Sequence, residues 1–482
     1  MQPRRAAQLR TEKGDSMLKE DILYLPVREL GRRIRTKQIS PVELTESYLA
    51  RSERLGPQLN AYATMTRELA MEQARAAEKE IAAGQYRGPL HGIPYAAKDL
   101  LAVKGYPTTW GAKPYANQKF DYNATVIEKL NHAGAVLIGK AAMIELAGGM
   151  NYRFASASLT GAGKNPWNEG CWTCGSSSGS GAIVSAALAS FAIGTETWGS
   201  IICPSAYCGI SGLRPTFGRV SRYGAMALAY SLDKIGPMGR TADDCALVLA
   251  AIAGHDPLDR SSLAPAEASF AYSTPMSLAL KIGWLTNAWE KPEPEIKAAT
   301  EDAVKVLKQH GANVSDAKLP EGPYEIAAGA IVGVEGAAAF RSLIESGKVA
   351  ELADPLGQIG GYINEQISAS DYMSALQIRG IFQKKVDALF DEFDVIAAAS
   401  LPIAATTLET NLETDLTFSD QLGGIGNLCG LPAASVPCGF TSKMLPIGIQ
   451  FIGRVRNDRA VVSAANLFQQ NTDWHTKRPP IA

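Results

Sequence analysis

The sequence predicts an α/β protein built as one large domain around a buried mixed sheet. Helical and strand-like patterns alternate along the whole chain, which is the signature of that class. The 482 residues are 46% hydrophobic and 20% charged, so the chain can bury a large core. A chain of this length could hold two or three domains. No repeat, low-complexity stretch or linker divides it, and one domain over 18–482 is the expectation.

Residues 1–17 read as a disordered leader, with Met17 as a second candidate start. Pro41 opens a helix to about Leu55, with Ser40 as its N-cap and proline in the first turn. A second amphipathic helix runs from about Glu68 to Ala83 and stops at Gly84. A short helix over Thr125 to Gly134 also ends on glycine. Ala135-Val-Leu-Ile-Gly is a short apolar strand. Leu278 to Leu285 is strand-like, and Glu293 to His310 is a helix capped by His310. Tyr372 to Phe393 reads as a long helix, followed by a buried strand from Asp394 to Ser400. Ala434 to Cys438 and Pro446 to Gly453 read as two neighbouring strands, with a final helix from Asp458 to Asn471.

Charge and composition exclude several functions. The 47 Lys and Arg balance 48 Asp and Glu, for a net charge of −1. A nucleic-acid binder carries a basic surplus or stripe, and neither is present. No apolar run approaches the ~18 residues of a membrane helix. The charged N-terminus lacks the apolar centre of a secretory signal. A soluble, cytoplasmic protein is expected. Seven cysteines are too few and too irregular for a disulfide scaffold. Cys171 and Cys174 form a C-x-x-C, but no second pair and no suitably spaced histidines complete a zinc site. They are expected to be small apolar fillers, and no metal or cofactor is expected.

Residues 170–213 stand apart. These 44 residues contain one charged side chain, Glu196, where the average composition would give about nine. They are dense in Gly, Ser and Ala, including Cys174-Gly-Ser-Ser-Ser-Gly-Ser-Gly and Gly194-Thr-Glu-Thr-Trp-Gly-Ser-Ile. Hydroxyls and bare amides in a core segment suit a nucleophile beside an anion-binding cradle. A surface loop would not carry the apolar flank AIVSAALASFAI.

Three familiar motifs compete here and fail. Gly175 to Gly179 fits G-x-S-x-G with Ser177 central, but the preceding Asn165 to Gly170 is turn-like and His255, His310 and His475 read as structural. Gly134 to Lys140 nearly spells a phosphate loop, yet Ala141 replaces the Ser/Thr and the interior reads as strand. Ser231-Leu-Asp-Lys234 is an S-x-x-K without its companion motifs.

Gly92-Ile-Pro-Tyr-Ala-Ala-Lys98-Asp99, Gly175-Ser176-Ser177 and Gly194-Thr-Glu-Thr-Trp-Gly-Ser200-Ile resemble the amidase signature family. So do the run from Pro204 to Ser221 and Gly430-Leu-Pro-Ala-Ala-Ser-Val-Pro. The resemblance spans about residues 20 to 475. It implies a single domain whose mixed, mostly parallel central sheet is flanked by helices on both faces. It also implies a Ser–cisSer–Lys triad without a cofactor or metal. Ser200 would be the nucleophile, Ser176 the bridging serine and Lys98 the base. The backbone amides of Thr197, Trp198, Gly199 and Ser200 would form the oxyanion hole, with Asp99, Gly175, Ser177 and Glu196 in support. Asp99 and Glu196 are the candidates to position or retune the Lys98 ammonium.

Taken alone, a lysine is usually a solvated surface charge and a serine a loop or cap residue. The chemistry gives these residues their sense. A serine hydroxyl needs an adjacent group to take its proton, and desolvation can bring a lysine far below its ordinary pKa of ~10.4. The bond before Ser176 would be cis, as in the family.

Two departures bear on the substrate. Trp198 stands where the family usually has glycine, and would be strained if that position needs positive φ. Ile202 replaces an arginine after the nucleophile. Both changes favour a neutral, aromatic or aliphatic acyl group. The leading expectation is a stand-alone amidase, monomeric or dimeric, cleaving C–N bonds of small-molecule amides, with esters and carbamates (urethanes) in reach of the same acyl-enzyme. The alternative is the glutaminase subunit of a tRNA-dependent amidotransferase, which Arg219-Val-Ser-Arg-Tyr-Gly and Asp420 also resemble. A third reading, an inactive binding relative, is disfavoured because Lys98, Ser176 and Ser200 are all kept. The stretch 315–420 is expected to help shape the pocket.

Overall fold

Three short segments, PYAAK, VLIGKA and FAIGTE, are buried at every residue. A strand covered on both faces loses the alternation of a half-exposed one, and these three form the centre of one wing of the sheet. The computed structural model describes residues 17–274, 279–416 and 418–481. Apart from Met17, the expected leader lies outside the described residues, as does Leu278.

The strands are Tyr62–Met65 (β1), Pro94–Lys98 (β2), Val136–Ala141 (β3), Lys164–Asn165 (β4), Asn168–Trp172 (β5), Phe191–Glu196 (β6), Ser211–Arg214 (β7), Lys234–Gly239 (β8), Lys281–Leu285 (β9), Asn313–Ala317 (β10), Val395–Ala399 (β11), Ala433–Phe440 (β12) and Pro446–Gly453 (β13). Eleven of them form a single sheet in the order β1-β3-β2-β6-β8-β7-β12-β13-β11-β9-β10, flanked by helices. The mixed sheet expected from the sequence is present. Its parallel pairing lies in two three-strand runs, β3-β2-β6 and β11-β9-β10, and its remaining neighbours are antiparallel.

The helices expected near 41, 68, 125, 293 and 458 are all found. Ser40 caps the helix Pro41–Leu59, accepting from the amides of Val42 and Glu43 while Glu43 closes the capping box. The helix expected over 372–393 is Ala369–Asp387, and its last turn tightens into a separate 3-10 segment, Ala388–Asp391. β12 and β13 are neighbours, as expected. Of the stretch 165–170, expected to be a turn, only Pro166 and Trp167 form the bend of a hairpin; Asn165 ends β4 and Asn168 opens β5. A strand therefore precedes Gly175 after all.

This scaffold brings two chain ends together. β2 and β6 are parallel neighbours, with Ala97 opposite Ile193. Lys98 ends one strand and Glu196 the other. Ligand sites in open α/β sheets lie beyond such carboxyl ends. The helix Ser178–Ser185 packs on this wing and carries the 174–177 loop to the same edge.

Candidate active site

Lys98 is fully buried at the end of β2. Its Nζ lies 2.7 Å from Ser176 Oγ, 2.9 Å from Thr195 Oγ1 and 3.4 Å from the Thr195 carbonyl. A neutral amine has two N–H donors and one lone pair. Two donors satisfy Thr195, which leaves the lone pair for the Ser176 hydroxyl. Burial pushes the Lys98 ammonium down to about 7, while the charges of Asp233 and Glu196 oppose that fall. The site thus holds a lysine that can be neutral near physiological pH.

The Gly175–Ser176 peptide bond is cis. Gly175 has no room for a side chain, since a Cβ there would sit 2.6 Å from Ile144 Cγ1. Ser177 Oγ donates to the Thr195 carbonyl and accepts from its amide, tying the loop to β6. That bonding also answers the G-x-S-x-G reading, for Ser177 is committed to backbone. Ser200 lies in the turn between β6 and the helix Ile202–Cys208, and is 7% exposed. Among the described residues, the backbone amides of Trp198, Gly199 and Ser200 meet no protein acceptor. Three unpaired amides side by side form the kind of cradle that holds a developing oxyanion.

Glu196 braces this turn from its far end. One carboxylate oxygen accepts from the amides of Ile201 and Ile202 at 2.8 and 3.0 Å. The other takes Arg214 Nη1 at 2.6 Å and Asn427 Nδ2 at 3.0 Å. Burial works to raise the Glu196 pKa, but the Arg214 charge, its hydrogen bond and those of the Ile202 and Ile201 amides together outweigh it and hold the group at about 2.

The structure corrects three expectations. Asp99 does not serve Lys98. It forms a buried ion pair with Lys140 at 2.9 Å and accepts from both the amide and the hydroxyl of Thr109. Adjacent residues of an extended chain face opposite sides. Ala97 pairs in register with Lys140, so Asp99 shares their side and Lys98 faces away. Cys174 is not a filler, because it is disulfide-bonded to Cys203 with Cα atoms 5.9 Å apart. That bond joins the Ser176 loop to the helix after Ser200. Cys171, its C-x-x-C neighbour, remains a free buried thiol. Finally, Trp198 is not the strained position. The positive φ falls at Gly199, at 75°.

Trp198 does more than add apolar wall. Its Nε1 donates to Asp420 Oδ2 at 2.9 Å, and Asp420 Oδ1 accepts from the Gly423 amide at 2.9 Å. Burial raises the Asp420 carboxyl to about 6. Ile202 is buried in its helix. The 315–420 stretch reaches this side of the site through the helix Tyr324–Ala339, which packs on the helix Gln421–Leu428 beside Trp198. Thr195 and Asp233 escaped the sequence reading. Asp233 sits inside the dismissed S-x-x-K, where Ser231 in fact bonds Glu335 and makes no pair with Lys234. The dismissed phosphate loop is strand β3, as expected.

Comparison with known proteins bears on this arrangement. The family model described as Amidase matches residues 43–462. The chain belongs to the amidase family. The glutamyl-tRNA(Gln) amidotransferase A-subunit of Geobacter metallireducens is 36% identical over 96% of this chain and 100% of its own length. Its counterpart in Acinetobacter baumannii is likewise 36% identical, over 96% and 99%. Among solved structures, the peptide amidase of Stenotrophomonas maltophilia superposes with a TM-score of 0.84 at 27% identity, over 94% of this chain and 98% of that one. The glutamyl-tRNA(Gln) amidotransferase A-subunit of Thermotoga maritima gives 0.78 at 26% identity, over 97% and 100%. As an amidase-family member the chain is a C–N hydrolase. Among the described residues no helix is long and apolar enough to cross a membrane.

Proposed function

We propose that this chain hydrolyses carboxylic amides through an acyl-enzyme on Ser200, with Ser176 and Lys98 relaying the proton. The observation that carries the reading is the fully buried Lys98 with Ser176 Oγ at 2.7 Å. Neutral Lys98 accepts the Ser176 proton as Ser176 accepts that of Ser200, whose oxygen bonds to the acyl carbon. The oxyanion rests on the amides at 197–200. The proton then returns through Ser176 to the leaving nitrogen as the C–N bond breaks. Water repeats the sequence to release the acid.

The acyl group we favour is uncharged. Asp420, the residue that resembles the glutaminase subunit, is held by Trp198 on one oxygen and by the Gly423 amide on the other. Ile202 supplies no cation for a substrate carboxylate at that position. Esters and carbamates fit the same mechanism. The second reading is the glutaminase component of a tRNA-dependent amidotransferase, acting with partner subunits. The 36% identity to such subunits over their whole length favours it.

Hydrolysis of 4-nitroacetanilide and ammonia release from glutamine, measured on the wild type and Ser200→Ala, decide between them. Turnover of the anilide that vanishes in the variant supports the first reading. Glutaminase activity lost in the variant, with the anilide untouched, supports the second. Equal activity in both proteins contradicts the role of Ser200.

A further inference from the structure

The turn 197–200 is held at both ends by buried carboxylates. Glu196 takes the far end through the amides of Ile201 and Ile202. At the near end Thr197 Oγ1 donates to Asp233 Oδ1 at 2.5 Å. Asp233 is in turn fixed by the amides of Leu228 at 2.8 Å and Ala229 at 3.1 Å. These two carboxylates are also the anions whose charge acts on Lys98. They differ in one respect. Glu196 is neutralised by Arg214 at 2.6 Å, whereas Asp233 has no direct cationic partner among the described residues. It lines a cavity of 340 Å³ with Thr195, Thr197, Lys234 and Arg222.

We infer that Asp233 is a positioning residue for acyl transfer at Ser200: through Thr197 it sets the oxyanion turn, and its unpaired charge steadies the Lys98 ammonium. The inference rests on the reaction proposed above. Thr195 ties the two halves together, since its side chain contacts Lys98 and lines the cavity beside Asp233. The charged groups facing Lys98 are Asp233 and Glu196; Arg222 and Lys234 face Asp233. Removing the Asp233 charge leaves burial less opposed, so Lys98 loses its proton at lower pH.

The test follows the rate at which a fluorophosphonate labels Ser200 between pH 5 and 9. In that reaction Ser200 oxygen bonds to phosphorus, fluoride leaves and the proton passes to Lys98. The phosphoryl oxygen occupies the oxyanion site, so no natural substrate is needed. Asp233→Asn is expected to label ~10- to 100-fold more slowly at its plateau, with its midpoint moved down by roughly one pH unit. Thr197→Val is expected to slow labelling similarly with the wild-type midpoint, and Thr197→Ser to restore it. Wild-type rates and midpoint in Asp233→Asn would overturn the inference. If that variant does not fold, Thr197→Val decides, and an unchanged rate there overturns it equally. A wild type that is not labelled, or a Ser200→Ala that still is, refutes the proposed reaction instead.

Discussion

Two lysines sit at or next to the ends of neighbouring strands of one sheet, both without solvent exposure, and they are built for opposite purposes. Lys140 on β3 meets Asp99 at 2.9 Å, Thr108 Oγ1 at 2.8 Å and the Pro107 carbonyl at 3.1 Å. Lys98 on β2 meets two hydroxyls and a carbonyl but no carboxylate. Burial lowers both pKa values, and in Lys140 a direct ion pair works against it. Burial alone therefore does not make a base. The absence of a touching anion does, and strand alternation places Asp99 on the Lys140 side.

The sharpest way to break this comparison is to remove each amine in turn. Lys98→Met is expected to cost about 10⁴-fold in amide turnover, the upper range for a general base. The fold should gain from it. The unfolded chain binds a proton at Lys98 up to about pH 10.5, the folded chain only up to about 7. Folded wild type therefore loses stability as pH falls from 10.5 to 7, and the variant does not share that loss. A Tm at pH 7 at or above that of wild type checks this. Lys140→Met should do the reverse, leaving activity per folded molecule intact while destabilising by ~3–5 kcal/mol, because Asp99 stays buried without its partner. Adding Asp99→Asn should recover part of that loss, measured by urea unfolding.

The disulfide sharpens the picture next. Cys174–Cys203 closes a loop with a sequence separation of 29, and chain entropy gives such a link about 3.6 kcal/mol. Dithiothreitol or Cys174→Ser should lower Tm accordingly, and labelling of Ser200 should slow because both serine-bearing segments lose their tether. The smallest effect is expected at Trp198→Phe. It removes one hydrogen bond to a buried carboxylate, at ~1–3 kcal/mol, and should raise the Asp420 pKa above its value of about 6. Infrared titration of the carboxyl band would read the shift.

Much of this was legible from residues. Ser40-Pro41 announced its helix because caps act locally, and the run AVLIG announced β3 because it is uniformly apolar. β2, β6, β7 and β8 were not announced. Their sequences PYAAK, FAIGTE, SGLR and KIGPMG mix glycine, proline and charge, and only sheet neighbours on both faces make them strands. Within the site, Lys98, Ser176 and Ser200 followed from motif blocks. Asp233, Thr195 and the partner of Cys174 did not, since each depends on contacts made across the fold. Alternation already separates Asp99 from Lys98, because adjacent residues of an extended chain face opposite sides.

The account rests on a neutral Lys98, and the pH dependence of amide turnover in the wild-type enzyme tests it most directly. With Lys98 as the base, kcat/KM rises about tenfold per unit below a midpoint near 7 and then levels, while Lys98→Met stays about 10⁴-fold slower at every pH. A flat profile, a midpoint near 10, or a Lys98→Met turnover close to that of wild type would contradict it.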